Sequence, residues 1–415
     1  MNRRLVPVLA ALVLIAASAC SNTAPSAEVS PSSGTPSGSG HGAVTGAAEV
    51  AEPQLHLVAI DQTGNVGMLN LLENKETKIG TVGAPSAVAT DGRYVFATTS
   101  KGVEIVDGGT WTWDHGDHFH YYRAGPALLG TVPGGGAPTV STGMLSTAGG
   151  TGLFFPESGD AVLLDNASLS RGEIRERFRA QLSPHKGLVV PVGEGAIVTT
   201  PDAEGRPAAL QYHDAGGKPV EGARAECPEA HGSVVTRVGA VVGCGDGALV
   251  ITTQDDAPAF EKIPYPNGAS ASAAVKFDAR KGRPTVAGVG GPTGVWLLST
   301  RQRSWQWLPT PVPMVHASAV DDQKGHVVTL DAEGRVHVYL AKTGEEVGVT
   351  EPLLPKTLST SRSLDSVSLT VDAQRAYVNA PSEGVVYEID FADSARIART
   401  LSPSVQPAFI AETGR

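Results

Sequence analysis

Three histidines and two aspartates fall within the seven residues Asp114-His115-Gly116-Asp117-His118-Phe119-His120. His118 and His120 are two apart, so extended backbone sets both imidazoles on one side, about 6–7 Å apart. Gly116 permits the turn that brings His115 back toward them. Three neutral imidazoles and one carboxylate, at metal distances of about 2.0–2.2 Å, make a tetrahedral zinc set, and Asp117 is the candidate fourth ligand. The remaining carboxylate can hold an imidazole N–H and fix its tautomer. Copper and nickel also favour imidazole, so residue types alone leave the metal open among these three. Neutral imidazole has a reference pKa of about 6.5, so a histidine site is expected to lose its metal below about pH 6. The chain has 11 histidines in 415 residues, which makes three within six positions an improbable accident. Trp111, Trp113, Tyr121 and Tyr122 flank the cluster and are expected to brace it.

The elements that must position this segment repeat along the chain. "SAVATDGRYVFATTSKGVEIVD", "GLVVPVGEGAIVTTPD", "GSVVTRVGAVVGCGDGALVITT" and "ASAVDDQKGHVVTLDAEGRVHVYL" each read as apolar strands split by Gly or Asp turns. A more polar fourth strand follows each. Units begin near Ser86, Thr139, His185, His231, Ala271, His316, Asp365 and Pro407, a period of about 40–50 residues. The fold class is all-β: a β-propeller of eight four-stranded blades, or seven if one unit is irregular. "PAFIAE" from Pro407 supplies a single strand, and "LHLVAID", "NVGMLNL" and "KETKIGTV" supply three. Joined in one blade, they would close the ring. With 49 glycines and 29 prolines, a helical bundle is excluded. The His-rich segment is an insertion after the third strand of the first full unit. His185, His231 and His316 begin innermost strands around the expected channel. They would form a second metal site, or complete the first if the insertion folds over the opening. His56, His213, His326 and His337 lie in strands or turns and read as structural.

Residues 1–19 read as a signal peptide: Arg3 and Arg4, an apolar run, then Ala17-Ser18-Ala19-Cys20, similar to a lipobox with Cys20 lipidated. Residues 20–53, rich in Ser, Pro, Gly and Ala, read as a tether, and 54–415 as one propeller domain. The net charge is −10, and loss of Arg3 and Arg4 takes it from −10 to −12. An acidic extracytoplasmic protein is no partner for nucleic acid. It would touch a membrane through the lipid alone. Cys227 and Cys244 pair as a disulfide in an oxidising compartment; the rival is a metal site using both thiolates. There is no G-x-S-x-G, H-E-x-x-H or P-loop, and the glycines of Gly288–Gly294 open no helix.

"DHGDHFHYYRA", "PHKGLVVP" and "CPEAHG", with the signal start and repeat count, resemble the periplasmic zinc metallochaperones of the AztD type. The resemblance implies a non-enzymatic β-propeller that carries zinc to the solute-binding protein of a zinc ABC importer. The zinc role carries over most directly to His115, His118 and His120, then to His185 and His231. The tether and lipid are departures from that pattern and imply a membrane-anchored, monomeric version. Two other classes compete: a metal-dependent hydrolase or lactonase with Asp365 as base, and a scaffold or adhesion propeller that needs no histidine cluster.

Overall fold

A computed structural model describes residues 42–254, 257–269, 271–360 and 364–415. The signal peptide, Cys20 and the tether up to residue 41 lie outside the described residues.

The strands arise from short apolar runs closed by one recurrent turn. Asp61, Asp202, Asp214 and Asp331 each accept, through Oδ1, the backbone N–H groups two and four residues on, at 2.8–3.0 Å. This side-chain mimicry of a backbone turn reverses the chain tightly, and a glycine at the third following position takes the positive φ it requires. The result, among the described residues, is eight four-stranded antiparallel sheets. The first comprises Ala87–Thr90, Tyr94–Thr99, Gly102–Asp107 and Ala127–Pro133. Six more follow, each from consecutive strands, within 139–181, 189–226, 231–264, 275–309, 314–349 and 369–401.

The remaining sheet is discontinuous in sequence. Phe409–Thr413 pairs with His56–Ile60, followed by Asn65–Asn70 and Glu76–Thr81. One face of this sheet packs on Val95, Ala97 and Val106 of the first sheet; the other meets Tyr377, Val386 and Leu401. Second strands such as Tyr94–Thr99 are buried throughout, whereas fourth strands such as Ala127–Pro133 are mostly exposed. Sheets covered on both faces read as continuous apolar runs, which is why the repeat was legible. The architecture is an all-β array of propeller type.

The histidine insertion is a hairpin, Thr110–Asp114 with Phe119–Arg123, between the third and fourth strands of the first sheet. Ala48–Val50 adds to its edge, pairing Glu49 with Tyr122. This short strand falls inside the segment read as tether. Its partner lies some 70 residues on, so nothing local marks it.

Cys227 and Cys244 form a disulfide, which ties the end of one four-stranded unit to Ala240–Cys244 of the next. The paired sulfurs offer no thiolate ligands. Replacing both with serine is expected to cost about 3 kcal/mol for a loop of this size. Denaturant unfolding checks it; unchanged stability would contradict it, and zinc stoichiometry should not move.

Glu412, on the C-terminal strand, is fully buried, with the Asp372 carboxyl beside its own. Arg415 Nη1 stands 3.5 Å away. Burial dominates and pushes this carboxyl from 4.5 up to about 8. The unfolded chain ionises at the lower value while the folded chain keeps its proton. Stability therefore falls as pH rises through that window and levels off above it. Glu412→Gln is expected to raise stability at pH 8 by about 1–3 kcal/mol and to change little near pH 4. Equal gains at both pH values would refute this assignment.

Candidate metal centre

The hairpin stands on a buried ion pair. Arg93 donates to both oxygens of Asp107, Nε at 3.0 Å and Nη2 at 2.8 Å. Asp107 Oδ1 also accepts the N–H of Gly109, where the chain enters the hairpin, at 2.8 Å. The Arg93 guanidinium lies 3.8 Å over the Trp111 ring, and Trp111 stacks on Tyr122 at 5.3 Å. Trp111 Nε1 donates to the carbonyl of Gly42 at 3.0 Å. At the tip, Asp114 Oδ1 accepts from Gly116 N at 2.7 Å and His115 N donates to His118 O at 2.9 Å. Gly116 has φ +96° with open space where a Cβ would stand. That conformation is easy for glycine and strained for other residues.

This turn brings His115, His118 and His120 together, with a ligand nitrogen from each within 4.8 Å of the others. Among the described residues they are the one group of three His, Cys or carboxylate side chains so placed. The His115 and His118 rings stack at 4.9 Å, and His120 stands edge-on to both. The Nε2 atoms of His118 and His120 are 3.1 Å apart. Two nitrogens on a tetrahedral zinc at about 2.0–2.1 Å lie about 3.3–3.4 Å apart, so the spacing is close to that of a shared ion.

The other ring nitrogens face carboxylates: His118 Nδ1 meets Asp117 Oδ1 at 2.8 Å, and His120 Nδ1 meets Glu49 Oε1 at 2.6 Å. Holding the proton on Nδ1 leaves the Nε2 lone pairs facing each other, which favours a cation between them. Asp117 therefore sits behind the His118 ring, at Nδ1, rather than on the Nε2 side that its expected role as a fourth ligand requires. Its carboxyl is held below the usual range, first by the hydrogen bond to His118. Asp114 is bound to Gly116 N and to Arg237. His115 and His118 are exposed and His120 is half-buried, so the cluster is open to solvent.

Glu49 had no signal in the sequence, since it lies 71 residues from its histidine. Glu49→Ala is expected to weaken zinc binding about 10–100-fold, as loss of a carboxylate behind a histidine ligand does. Competition with a chelator checks this; wild-type affinity would show that the contact is incidental.

The histidines expected to line a channel, His185, His231 and His316, are not part of the hairpin cluster. His185 Nδ1 meets Ser183 O at 2.7 Å and Nε2 meets Thr199 Oγ1 at 2.9 Å. His231 is held by the carbonyls of Glu229 and Ala274, both at 2.6 Å. Both nitrogens of each ring are thus spent on structure. His316 Nε2 is buried without a hydrogen bond, and burial, aided by Lys276, pushes its imidazole down to about 4. Equivalent positions in the repeat place the backbone of these residues, but neighbours direct the rings: Thr199 holds that of His185 and the Ala274 carbonyl that of His231. His56, His213, His326 and His337 are likewise bonded within strands and turns.

Fold and site together define a class: an all-β array of propeller type with an exposed three-imidazole cluster on an inserted hairpin. No protein-family model matches the chain. The zinc chaperone AztD of Citrobacter koseri is 25% identical over 332 residues, 78% of this chain and 77% of that one. The crystal structure of Citrobacter koseri AztD matches with TM-score 0.73 at 22% identity, covering 87% of this chain and 98% of that one. The structure of apo AztD from the same organism gives TM-score 0.74 at 22% identity, covering 88% and 98%. The computationally designed protein Ika8 matches at TM-score 0.51 and 13% identity, covering 81% and 93%. The resemblance carried by the His-rich segment thus extends over most of the chain.

Proposed function

We propose that the protein is an extracytoplasmic zinc metallochaperone of the AztD type. It carries Zn²⁺ on the hairpin and hands it to the solute-binding protein of a zinc ABC importer. The observation that carries this reading is the pair of Nε2 atoms 3.1 Å apart, each imidazole backed by a carboxylate, on an exposed turn. His115, His118 and His120 bind the ion. Asp117 and Glu49 keep two of the rings in the ligating tautomer. An exposed three-ligand site leaves a coordination position for an incoming ligand. An acceptor can enter there and displace the histidines one at a time. A hydrolase would need a free general base beside that position; Asp117 and Glu49 are each tied to an imidazole, and Asp114 to Gly116 N and Arg237.

The blades form an eight-membered ring closed by the terminal strands, a reading supported by the eight sheets and the shared terminal sheet. The signal segment and disulfide support an extracytoplasmic location; the lipobox-like run before Cys20 supports a lipid anchor there. The test is transfer. Zinc-loaded protein is mixed with a purified zinc solute-binding protein while a chelator traps free ion. Direct delivery gives a rate that rises with acceptor concentration and resists the chelator. A rate fixed by spontaneous zinc release would overturn the proposal.

A further inference from the structure

The hairpin has two faces, because side chains alternate across a strand. His120 and Trp113, a cross-strand pair, belong to the face that carries the zinc cluster. Thr112, Asp114, Phe119 and Tyr121 belong to the other and line a cavity of about 590 Å³. That volume is within the range of small-molecule sites, about 300–1,000 Å³. Five cationic side chains line it, Arg237, Arg280, Lys281, Arg283 and Arg415, against three carboxylate side chains, Glu52, Asp114 and Asp372. This balance is opposite in sign to a chain of net charge −10.

Three of the cations come from one tight turn, closed by Arg283 N donating to Arg280 O at 3.0 Å. Most cations are already engaged. Arg237 pairs with Asp114, and Arg283 Nη2 donates to Asp321 O at 2.8 Å. Lys281 Nζ donates to Arg415 O at 3.1 Å, and Arg415 Nη1 to Val371 O at 3.1 Å. Asp372 is likewise satisfied, by the N–H groups of Gln374 and Arg375 at 2.6 Å. Arg280 differs. Its guanidinium makes no hydrogen bond or ion pair among the described residues, yet it is half-buried. Burial, then Arg283, pulls it below the usual arginine range; Asp321, Asp322 and Asp372 offset this only in part, and a bound anion would relieve the rest. Beside it the walls are apolar. Phe119 and Leu72 are 48% and 57% exposed, and both line this cavity.

We infer that this cavity is a binding site for a small organic carboxylate with an aromatic or branched apolar body. The carboxylate pairs with Arg280, whose planar fork suits bidentate recognition, and the body lies against Phe119 and Tyr121. Inorganic phosphate offers the charge but nothing to cover those rings. The site is independent of the zinc reading, since it uses the opposite face of the hairpin.

The test uses the full, zinc-free protein and calorimetric titration with phthalate, benzoate and inorganic phosphate. Saturable binding of phthalate and benzoate is expected, with phosphate at least about tenfold weaker. Arg280→Ala should weaken phthalate at least about tenfold, and Arg280→Lys less. Tyr121→Ala should weaken benzoate while sparing phosphate. His118→Ala should leave phthalate binding intact, so loss of the zinc site and loss of this site read out separately. Failure of both carboxylates to bind, phosphate binding as tightly as they do, or unchanged binding by Arg280→Ala would each overturn the inference.

Discussion

His118→Ala and His120→Ala are each expected to weaken zinc binding by about a hundredfold or more, while the zinc-free protein unfolds as wild type does. Each change removes one of the three clustered imidazoles proposed to hold the ion. A hundredfold loss corresponds to about 2.7 kcal/mol. The hairpin tip is exposed and lies outside the eight sheets, so the core does not depend on either ring. Stabilisation by zinc follows RT ln(1 + [L]/Kd), so the melting shift on adding zinc should shrink by a similar free energy. Delivery to an acceptor should fail in the same variants. The double change His185→Ala/His231→Ala is the contrast. Those rings hold structural hydrogen bonds, so its expected result is lower stability with zinc affinity retained. If His118→Ala and His120→Ala both bound and transferred zinc normally, the hairpin would not be the site.

Arg93→Met should lower stability by about 3–5 kcal/mol, the cost of leaving the other member of a buried ion pair alone. Asp107 would be left with only the N–H of Gly109 as a partner. The Trp111 ring would also lose the guanidinium stacked on it. Because Trp111 fixes the base of the hairpin, zinc affinity should fall as well, though less than in the histidine variants. Arg93→Met/Asp107→Leu should recover most of the loss, since the double change removes the uncompensated charge. Urea unfolding of the three proteins decides the matter; a single variant within about 0.5 kcal/mol of wild type would show the pair to be unimportant.

The repeat was legible because the second strands are largely buried on both faces, leaving runs such as Tyr94–Thr99 between Asp and Gly turns. The hairpin was legible as a break in that rhythm. The histidines on it were legible because their ligand geometry is local, set by Gly116 and a spacing of two. What was hidden depends on contacts between distant segments. Glu49 reaches His120 only because Ala48–Val50 pairs with the hairpin edge. Asp117 has the residue type of a ligand, and only the direction of its side chain makes it a holder of His118. His185 and His231 stand at repeat-equivalent positions, but equivalence fixes the backbone and leaves ring direction to neighbours such as Thr199 and Ala274.

The sheet shared by Phe409–Thr413 and His56–Ile60 bears on how the protein is made. Ribosomes release a chain from its N-terminus, so His56–Ile60 waits for its partner through the synthesis of some 350 residues. Throughout that interval a hydrogen-bonding strand edge stays unpaired, a template for association with other chains. The first and last of the ordinary units also lack the sheet that packs between them. Contacts of such long sequence separation form late. A truncation that stops short of Phe409 therefore removes more than a terminal strand: it leaves a permanently sticky edge at the other end of the chain, and aggregation rather than a clipped but working protein is the expected fate.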